Sequence, residues 1–374
     1  MRKLFICLIL VVAIIGVFAF SACSNGYIAI EYDPTTTYGV YWYADGDYVR
    51  SSEGMSTDLF DPNKPTFIFA HGWEPDANNT SNGLVEDLIT HADTVSKTGA
   101  SVVNYAELLK EQGYNVALLG WFSYASDLTK LFRCIWVDFD DGNALSVRFA
   151  QELAAVMGED YSKDIKLVGH SYGSQLAIAT VYQLTKFKEN GIINNSHLIP
   201  TRITLADPYL GLPALIEGWN GTISKAKISY TNEKINARAP KTLFADVVDY
   251  IVQTNDTAVD IYMGMGVAST MYYRYDGSDA DFEKLSSNCS IVKSAGLISK
   301  YGDTNVHNIT RDWTLVSIVE SITLYDQNGD IAPSGAATDA VIKSLRGKCY
   351  NQDYKGFNVA ADSMTLVDRS ATKY

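Results

Sequence analysis

Ile165-Lys166-Leu167-Val168-Gly169-His170-Ser171-Tyr172-Gly173-Ser174-Gln175 is the segment from which the rest of the chain is read. Four residues of buried-strand character run into Gly169-His170-Ser171-Tyr172-Gly173, a G-x-S-x-G, and residues 173–186 continue as a helical pattern with small residues at Gly173, Ala177 and Ala179. G-x-S-x-G alone is a weak signal; the strand before it and the helix after it give it meaning. A sharp strand-to-helix turn forces the serine into a strained backbone conformation and lifts its hydroxyl above the sheet edge. Glycines on either side let helix and strand approach, and the helix N-terminus favours developing negative charge. His170 is expected to point away from the serine.

Outward from this turn, short apolar runs alternate with helical periodicity. Strands are predicted at Gly39–Tyr43, Pro65–Ala70, Val116–Leu119, Arg202–Ala206 and Val247–Val252, and helices over 101–112 and 143–157. Nearly continuous apolar strands separated by helices imply a mostly parallel sheet covered on both faces, an α/β architecture. Pro65 to Trp73 is a strand ending in His71-Gly72, where a tight turn can present the Trp73 amide. With the Tyr172 amide, that makes two backbone donors for a tetrahedral oxyanion.

Of five histidines, His307 has room for an acid between it and Ser171, in the order serine, acid, histidine. It is expected in a polar loop, anchored by an amphipathic helix bearing Ile309, Trp313 and Val316. The residues leave two candidate acids, Asp207 after Arg202–Ala206 and Asp256 after Tyr250–Asn255, and spacing does not choose between them.

The 374 residues are 47% hydrophobic and 20% charged, which excludes disordered, collagenous and coiled-coil classes. Residues 1–22 have a basic start, an unbroken apolar run from Leu4 to Phe20 and then small residues, the layout of an export signal. Removing it with its two cations takes the formal charge from -13 to -15, which argues against a nucleic-acid partner. Phe20-Ser21-Ala22-Cys23 resembles the lipobox of bacterial lipoproteins, with Phe20 in place of the usual aliphatic. That resemblance implies lipidation of Cys23 and a membrane-anchored protein, with secretion as the alternative. Beyond Cys7 and Cys23 remain Cys134, Cys289 and Cys349, too few for a disulfide framework and too far apart for a zinc site; Cys289 with Cys349 is the one pairing the sequence suggests. No metal or cofactor is expected, and Asp326–Asp330 is read as a plain turn, not a calcium loop. The expected organisation is a signal over 1–22, a leader with first strands over 23–59, a catalytic domain over 60–325 and a short C-terminal extension over 326–374.

These residues together resemble the pancreatic-type lipase family of the α/β-hydrolases. Pro65 to Trp73 is similar to its strand ending in His-Gly-aromatic, and Lys166 to Gly173 to its Gly-His-Ser-x-Gly turn. Thr201 to Pro208 is similar to its Arg-Ile-Thr-x-x-Asp-Pro segment, and His307–Ile318 to its histidine-bearing helix. Tyr172 replaces the usual Leu, the family's paired cysteines are missing, and no β-sandwich lipid-binding domain follows. The resemblance implies a Ser171–His307–Asp207 triad, favouring Asp207 over Asp256, and an acylglycerol or other ester substrate. It also places the family's lid in the stretch Ile261–Tyr273, where an ordinary buried element is the competing reading. A phospholipase A1 or a thioesterase would use the same machinery. A non-catalytic surface lipoprotein that binds a ligand is a further alternative, against which the complete serine, histidine and acid set argues.

Overall fold

Alternate residues of each central strand enter two separate apolar clusters. Ile68, Ala70, Ala117, Leu119 and Leu167 join one; Phe67, Phe69, Val116, Leu118 and Val168 join the other. Side chains of successive strand residues point to opposite faces, so this division means that both faces of the sheet are covered. The structure is a computed structural model. It describes residues 38–51, 56–73, 88–99, 101–126, 131–136, 144–209, 226–227, 234–235, 240–264, 279–293, 306–325, 339–352 and 364–367.

The strands are β1 (Gly39–Ala44), β2 (Asp47–Arg50), β3 (Thr66–Ala70), β4 (Asn115–Gly120), β5 (Ile165–His170), β6 (Arg202–Ala206), β7 (Ala226–Lys227), β8 (Lys234–Ile235), β9 (Ala258–Met263), β10 (Ser290–Lys293), β11 (Cys349–Gln352) and β12 (Met364–Val367). The helices used below are α1 (Tyr105–Glu111), α2 (Leu145–Met157), α3 (Gly173–Glu189), α4 (Pro240–Asn255), α5 (Asp279–Asn288), α6 (Val306–Tyr325) and α7 (Asp339–Ser344). The main sheet has 10 strands in the order β12-β11-β10-β9-β6-β5-β3-β4-β1-β2. Its centre, β4 through β11, is parallel; β1 and β12 pair antiparallel at the two flanks. Helices α2, α3 and α4 supply the cluster on one face, α1 and α6 that on the other. This is the α/β-hydrolase fold.

The chain passes from β3 outward to β4, then returns to lay β5 against the other edge of β3. Such a reversal leaves a crevice beyond the carboxyl ends of the two strands, where open α/β sheets hold their ligands. Register aligns the strand ends there: Ala70 lies opposite Gly169, His170 opposite Ala206, and Ala206 opposite Tyr262. Residues 71–73, Ser171 and Asp207 therefore leave the sheet at one edge.

The structure bears on three expectations. Val247–Val252 is not a strand but part of α4, and the next strand of the sheet is Ala258–Met263. Leu243, Phe244, Val247, Val248, Ile251 and Val252 are all buried, a spacing of three and four that belongs to a helix face. Ile261–Met263 is the buried end of β9, in line with the reading of that stretch as an ordinary buried element; residues 265–273 of it lie outside the described residues. Cys289 is a buried free thiol, so it does not pair with Cys349. Both flanks of the expected catalytic domain also contribute strands to its sheet, β1 and β2 from the leader and β11 and β12 from the C-terminal segment. Among the described residues no helix is long and apolar enough to cross a membrane. Residues 1–37, with the signal and Cys23, and Asp326–Asp330 lie outside the described residues.

Candidate active site

Ser171 has a φ of 55°, in the left-handed region that a side-chain-bearing residue occupies only when its surroundings hold it there. Its amide donates to Ala206 O at 3.1 Å, continuing the β5–β6 ladder by one bond, while its carbonyl accepts from the Tyr209 amide at 3.1 Å. Two glycines make the turn possible. A Cβ on Gly169 would stand 2.6 Å from Gly173 O, and one on Gly173 would stand 2.0 Å from Ala70 O. Neither position admits a side chain, because α3 leaves the turn pressed against both β5 and β3. Ser174 Oγ adds a bond to Gly169 O at 2.9 Å.

Asp207 ends β6, also in the left-handed region at φ 41°, and its side chain is wholly buried. Its amide donates to Tyr262 O at 2.7 Å. Its Oδ1 accepts from the Gly264 amide at 3.1 Å, and its Oδ2 accepts from His307 Nδ1 at 2.6 Å. An ionised carboxylate can only accept, so Nδ1 carries the proton and Nε2 keeps its lone pair. That is the tautomer a general base requires. A charge-assisted bond of this kind contributes about 1.5–3 kcal/mol. His307 itself is not in a loop: α6 begins one residue earlier, at Val306, and Thr310 Oγ1 donates to Val306 O at 2.7 Å. The helix is held down by Ile309, Leu315 and Ile318, all buried. Gly264 was not anticipated as a site residue. A Cβ there would lie 1.9 Å from Thr310 Oγ1, so only glycine lets the end of β9 pass beneath α6 and donate to Asp207.

His170, next to the serine, is buried and turned toward α6. Its ring centroid is 4.5 Å from that of His307, and its Nε2 lies 3.4 Å from His307 O. Burial, with the neighbouring His307 and Arg311, holds its pKa well below the usual imidazole value, so it is neutral at pH 7. It therefore floors the His307 ring and does not compete with it as a base. No hydrogen bond joins Ser171 Oγ to His307 among the described residues; in sites without substrate such bonds are often loose and tighten on binding.

On the other side of Ser171 lies the β3 loop. A Cβ on Gly72 would approach Ser171 Cβ to 2.8 Å and Ser171 Oγ to 3.4 Å, so the loop touches the serine where glycine alone fits. Trp73, the next residue, is 43% exposed. Tyr172 is buried, with its ring 4.9 Å from that of Tyr209. A chain of bonds ties this floor together: Trp136 Nε1 donates to Gln175 Oε1 at 2.9 Å, and Gln175 Nε2 to Tyr209 O at 3.0 Å. Sequence reading missed Gln175 and Tyr209: Gln175 bridges a side chain 39 residues away and the Tyr209 carbonyl, contacts that leave no local motif.

Asp256 is not part of this assembly. It lies just before β9, whose first residue is opposite Arg202 at the start of β6. At about 3.3 Å per residue, the length of β9 puts roughly 20 Å between Asp256 and the edge that carries Asp207. Its side chain is 68% exposed and paired with Lys343 at 3.0 Å and Arg346 at 2.9 Å. No cluster of three or more His, Cys, Asp or Glu suited to a metal ion occurs among the described residues.

No family model and no curated protein matches the chain. Solved structures do. Esterase B from Lactobacillus rhamnosis, in a crystal structure with an inhibitor, is similar at 15% identity over 84% of this chain and 97% of its own, with a TM-score of 0.36. Est1E from Butyrivibrio proteoclasticus is similar at 15% identity over 74% and 98%, with a TM-score of 0.33. Carboxyl esterase 2 from the fungus Tuber melanosporum is similar at 12% identity over 77% and 89%, also at 0.33. The assignment of this chain to the α/β-hydrolase fold rests on its own strand order and on the turn that carries Ser171.

Proposed function

We propose that the protein is an exported serine carboxylic-ester hydrolase of lipase or esterase type, acting on acyl esters through Ser171, His307 and Asp207. The observation that carries the reading is the 2.6 Å bond from His307 Nδ1 to the buried Asp207, at the same sheet edge as a serine strained to φ 55°. In the reaction His307 Nε2 takes the Ser171 proton as Oγ attacks the ester carbonyl, and the imidazolium so formed is stabilised by Asp207. The carbonyl oxygen becomes an oxyanion that the Trp73 and Tyr172 amides bind. The imidazolium then protonates the departing alcohol, and an acyl-enzyme remains. Water, deprotonated by His307, attacks that ester; collapse releases the acid and restores Ser171. The buried acid at the end of β6 supports the likeness to the pancreatic-type lipases, whose corresponding segment ends in Asp-Pro. We assign Cys23 as the lipidated first residue of the mature protein.

The test is a fluorophosphonate probe together with p-nitrophenyl esters from C2 to C16. The wild-type protein is expected to be labelled and to hydrolyse the series. Ser171→Ala is expected to be unlabelled and to lose at least about three orders of magnitude in kcat. Equal labelling of both proteins rejects the assignment.

A further inference from the structure

His71 is buried and stands one residue before the loop glycine that touches Ser171. Both of its ring nitrogens are engaged. The Trp121 amide lies 3.3 Å from Nε2, and Gly72 O lies 3.0 Å from Nδ1. A backbone amide can only donate and a carbonyl can only accept, so Nε2 is bare and Nδ1 carries the proton. The ring is fixed from its faces as well. It is stacked on Phe122 at 4.5 Å and 11° and lies 5.6 Å from the Trp121 ring, while Trp121 Nε1 holds the His71 backbone carbonyl at 3.0 Å.

The carbonyl held by Nδ1 belongs to the Gly72–Trp73 peptide. No described peptide bond is cis. Across a trans peptide the C=O and the following N–H point in opposite directions. A carbonyl drawn toward the buried ring therefore turns the Trp73 N–H away from it. Glycine at 72 has the widest backbone freedom of any residue, so without such a bond this peptide could rotate. We infer that His71, in its neutral Nδ1–H form, is a positioning residue that aims the Trp73 amide at the oxyanion by holding the Gly72 carbonyl. This rests on the acyl-transfer reading above and adds to it the group that sets one of its two donors. The ring makes no contact with substrate in this account; its effect passes entirely through one peptide plane.

Three variants separate the two bonds. His71→Asn can still present an N–H near the position of Nδ1 and so can keep Gly72 O. His71→Gln reaches the position of Nε2, where it can accept from Trp121, but does not supply the donor to Gly72. His71→Phe keeps the stacking and neither bond. Losing one oxyanion donor costs about 10²–10³ in kcat. His71→Gln and His71→Phe are expected to fall toward that range with KM little changed, and His71→Asn to recover most of the loss. In the wild-type protein with ¹⁵N-labelled histidine, the two-bond couplings of His71 are expected to show the Nδ1–H tautomer. An Nε2–H tautomer overturns the inference whether or not any variant folds. So does a folded His71→Gln or His71→Phe with wild-type kcat, or a folded His71→Asn no better than His71→Gln. A wild-type protein without Ser171-dependent esterase activity would count against the hydrolase reading instead, and the couplings would still report on the Gly72 bond.

Discussion

Asp207 and Asp256 both adopt left-handed backbone, at φ 41° and 55°, and both follow an apolar run. Only their surroundings tell them apart. Asp207 has no exposed side-chain surface and meets His307, while Asp256 faces solvent beside Lys343 and Arg346. The Lys343 and Arg346 contacts hold the Asp256 carboxyl below the usual carboxylate range, the mark of a surface ion pair. Asp207→Asn keeps the shape of the acid but can donate to His307 Nδ1, which forces the wrong tautomer. In serine proteases that change costs about 10⁴ in kcat. Asp207→Asn is therefore expected to lose about three orders of magnitude or more, and Asp256→Asn to stay within about tenfold of wild type. Thermal melts of both variants establish that they are folded. A reversed order of losses would reject Asp207. Ser171 and His307 were legible because each is tied to a local pattern, the glycine-flanked turn and the amphipathic helix. The acid was not, because its identity depends on which side of the sheet each run ends, and a single run of residues does not carry that information.

Helix α4 shows the same limit at the scale of an element. Read over six residues, Val247–Val252 looks like a short buried strand; read from Leu243, its apolar residues recur at helical spacing. Once 240–255 is a helix, Asp256 falls at the amino end of β9 and cannot reach the histidine. Helix α7 closes that same end of the sheet. Lys166 Nζ meets Asp339 Oδ1 at 3.0 Å, Thr201 Oγ1 donates to Asp339 Oδ2 at 3.0 Å, and Arg346 Nη2 donates to Thr257 O at 2.9 Å. Burial raises the Asp339 carboxyl, but the charges of Lys166 and Arg202 and the bonds from Lys166 and Thr201 bring it below its usual value. A carboxyl lowered by folding stabilises the fold above its unfolded value near 3.8, and that contribution is lost as pH falls through the folded value. Asp339→Asn leaves Lys166 without its partner, at a cost of about 1–3 kcal/mol. It is expected to lower Tm by several degrees at pH 7 and to flatten the fall in Tm between pH 5 and pH 3. A variant that melts like wild type at both ends of that range would show that α7 is held by its apolar contacts alone.

For the whole molecule, the sheet order explains why Gly72, Ser171 and Asp207 meet although they are far apart in the chain. β3, β5 and β6 are neighbours, and their carboxyl ends align by register. The alternation of strand and helix announced such a sheet, and Gly39–Tyr43 announced a strand from its amino-terminal flank, but not that the C-terminal segment would add two more to it. β11 and β12 have four residues each, and β11 reads Cys-Tyr-Asn-Gln, so the C-terminal segment lacks the long apolar run that marks the centre. The molecule's charge bears on where it works. Without its first 22 residues the chain carries -15, and an acidic surface is repelled by anionic lipid headgroups. Attachment to a membrane would then come from acyl chains on Cys23 and not from surface charge. Two or more chains anchor stably, whereas an ionic contact weakens with salt. Expressed with its signal in a bacterium, the wild-type protein is expected to stay with the membrane fraction through a 1 M salt wash and to enter a detergent phase. Its N-terminal peptide should carry the mass of a diacylglycerol-modified cysteine. Cys23→Ser, uncut before the cysteine or cut elsewhere, should lose that mass, and a Ser-bearing protein cleaved near Ala22 should appear in the soluble exported fraction. An unmodified Cys23 in the wild-type protein, or a mature start at another residue, rejects the anchor and leaves ordinary secretion.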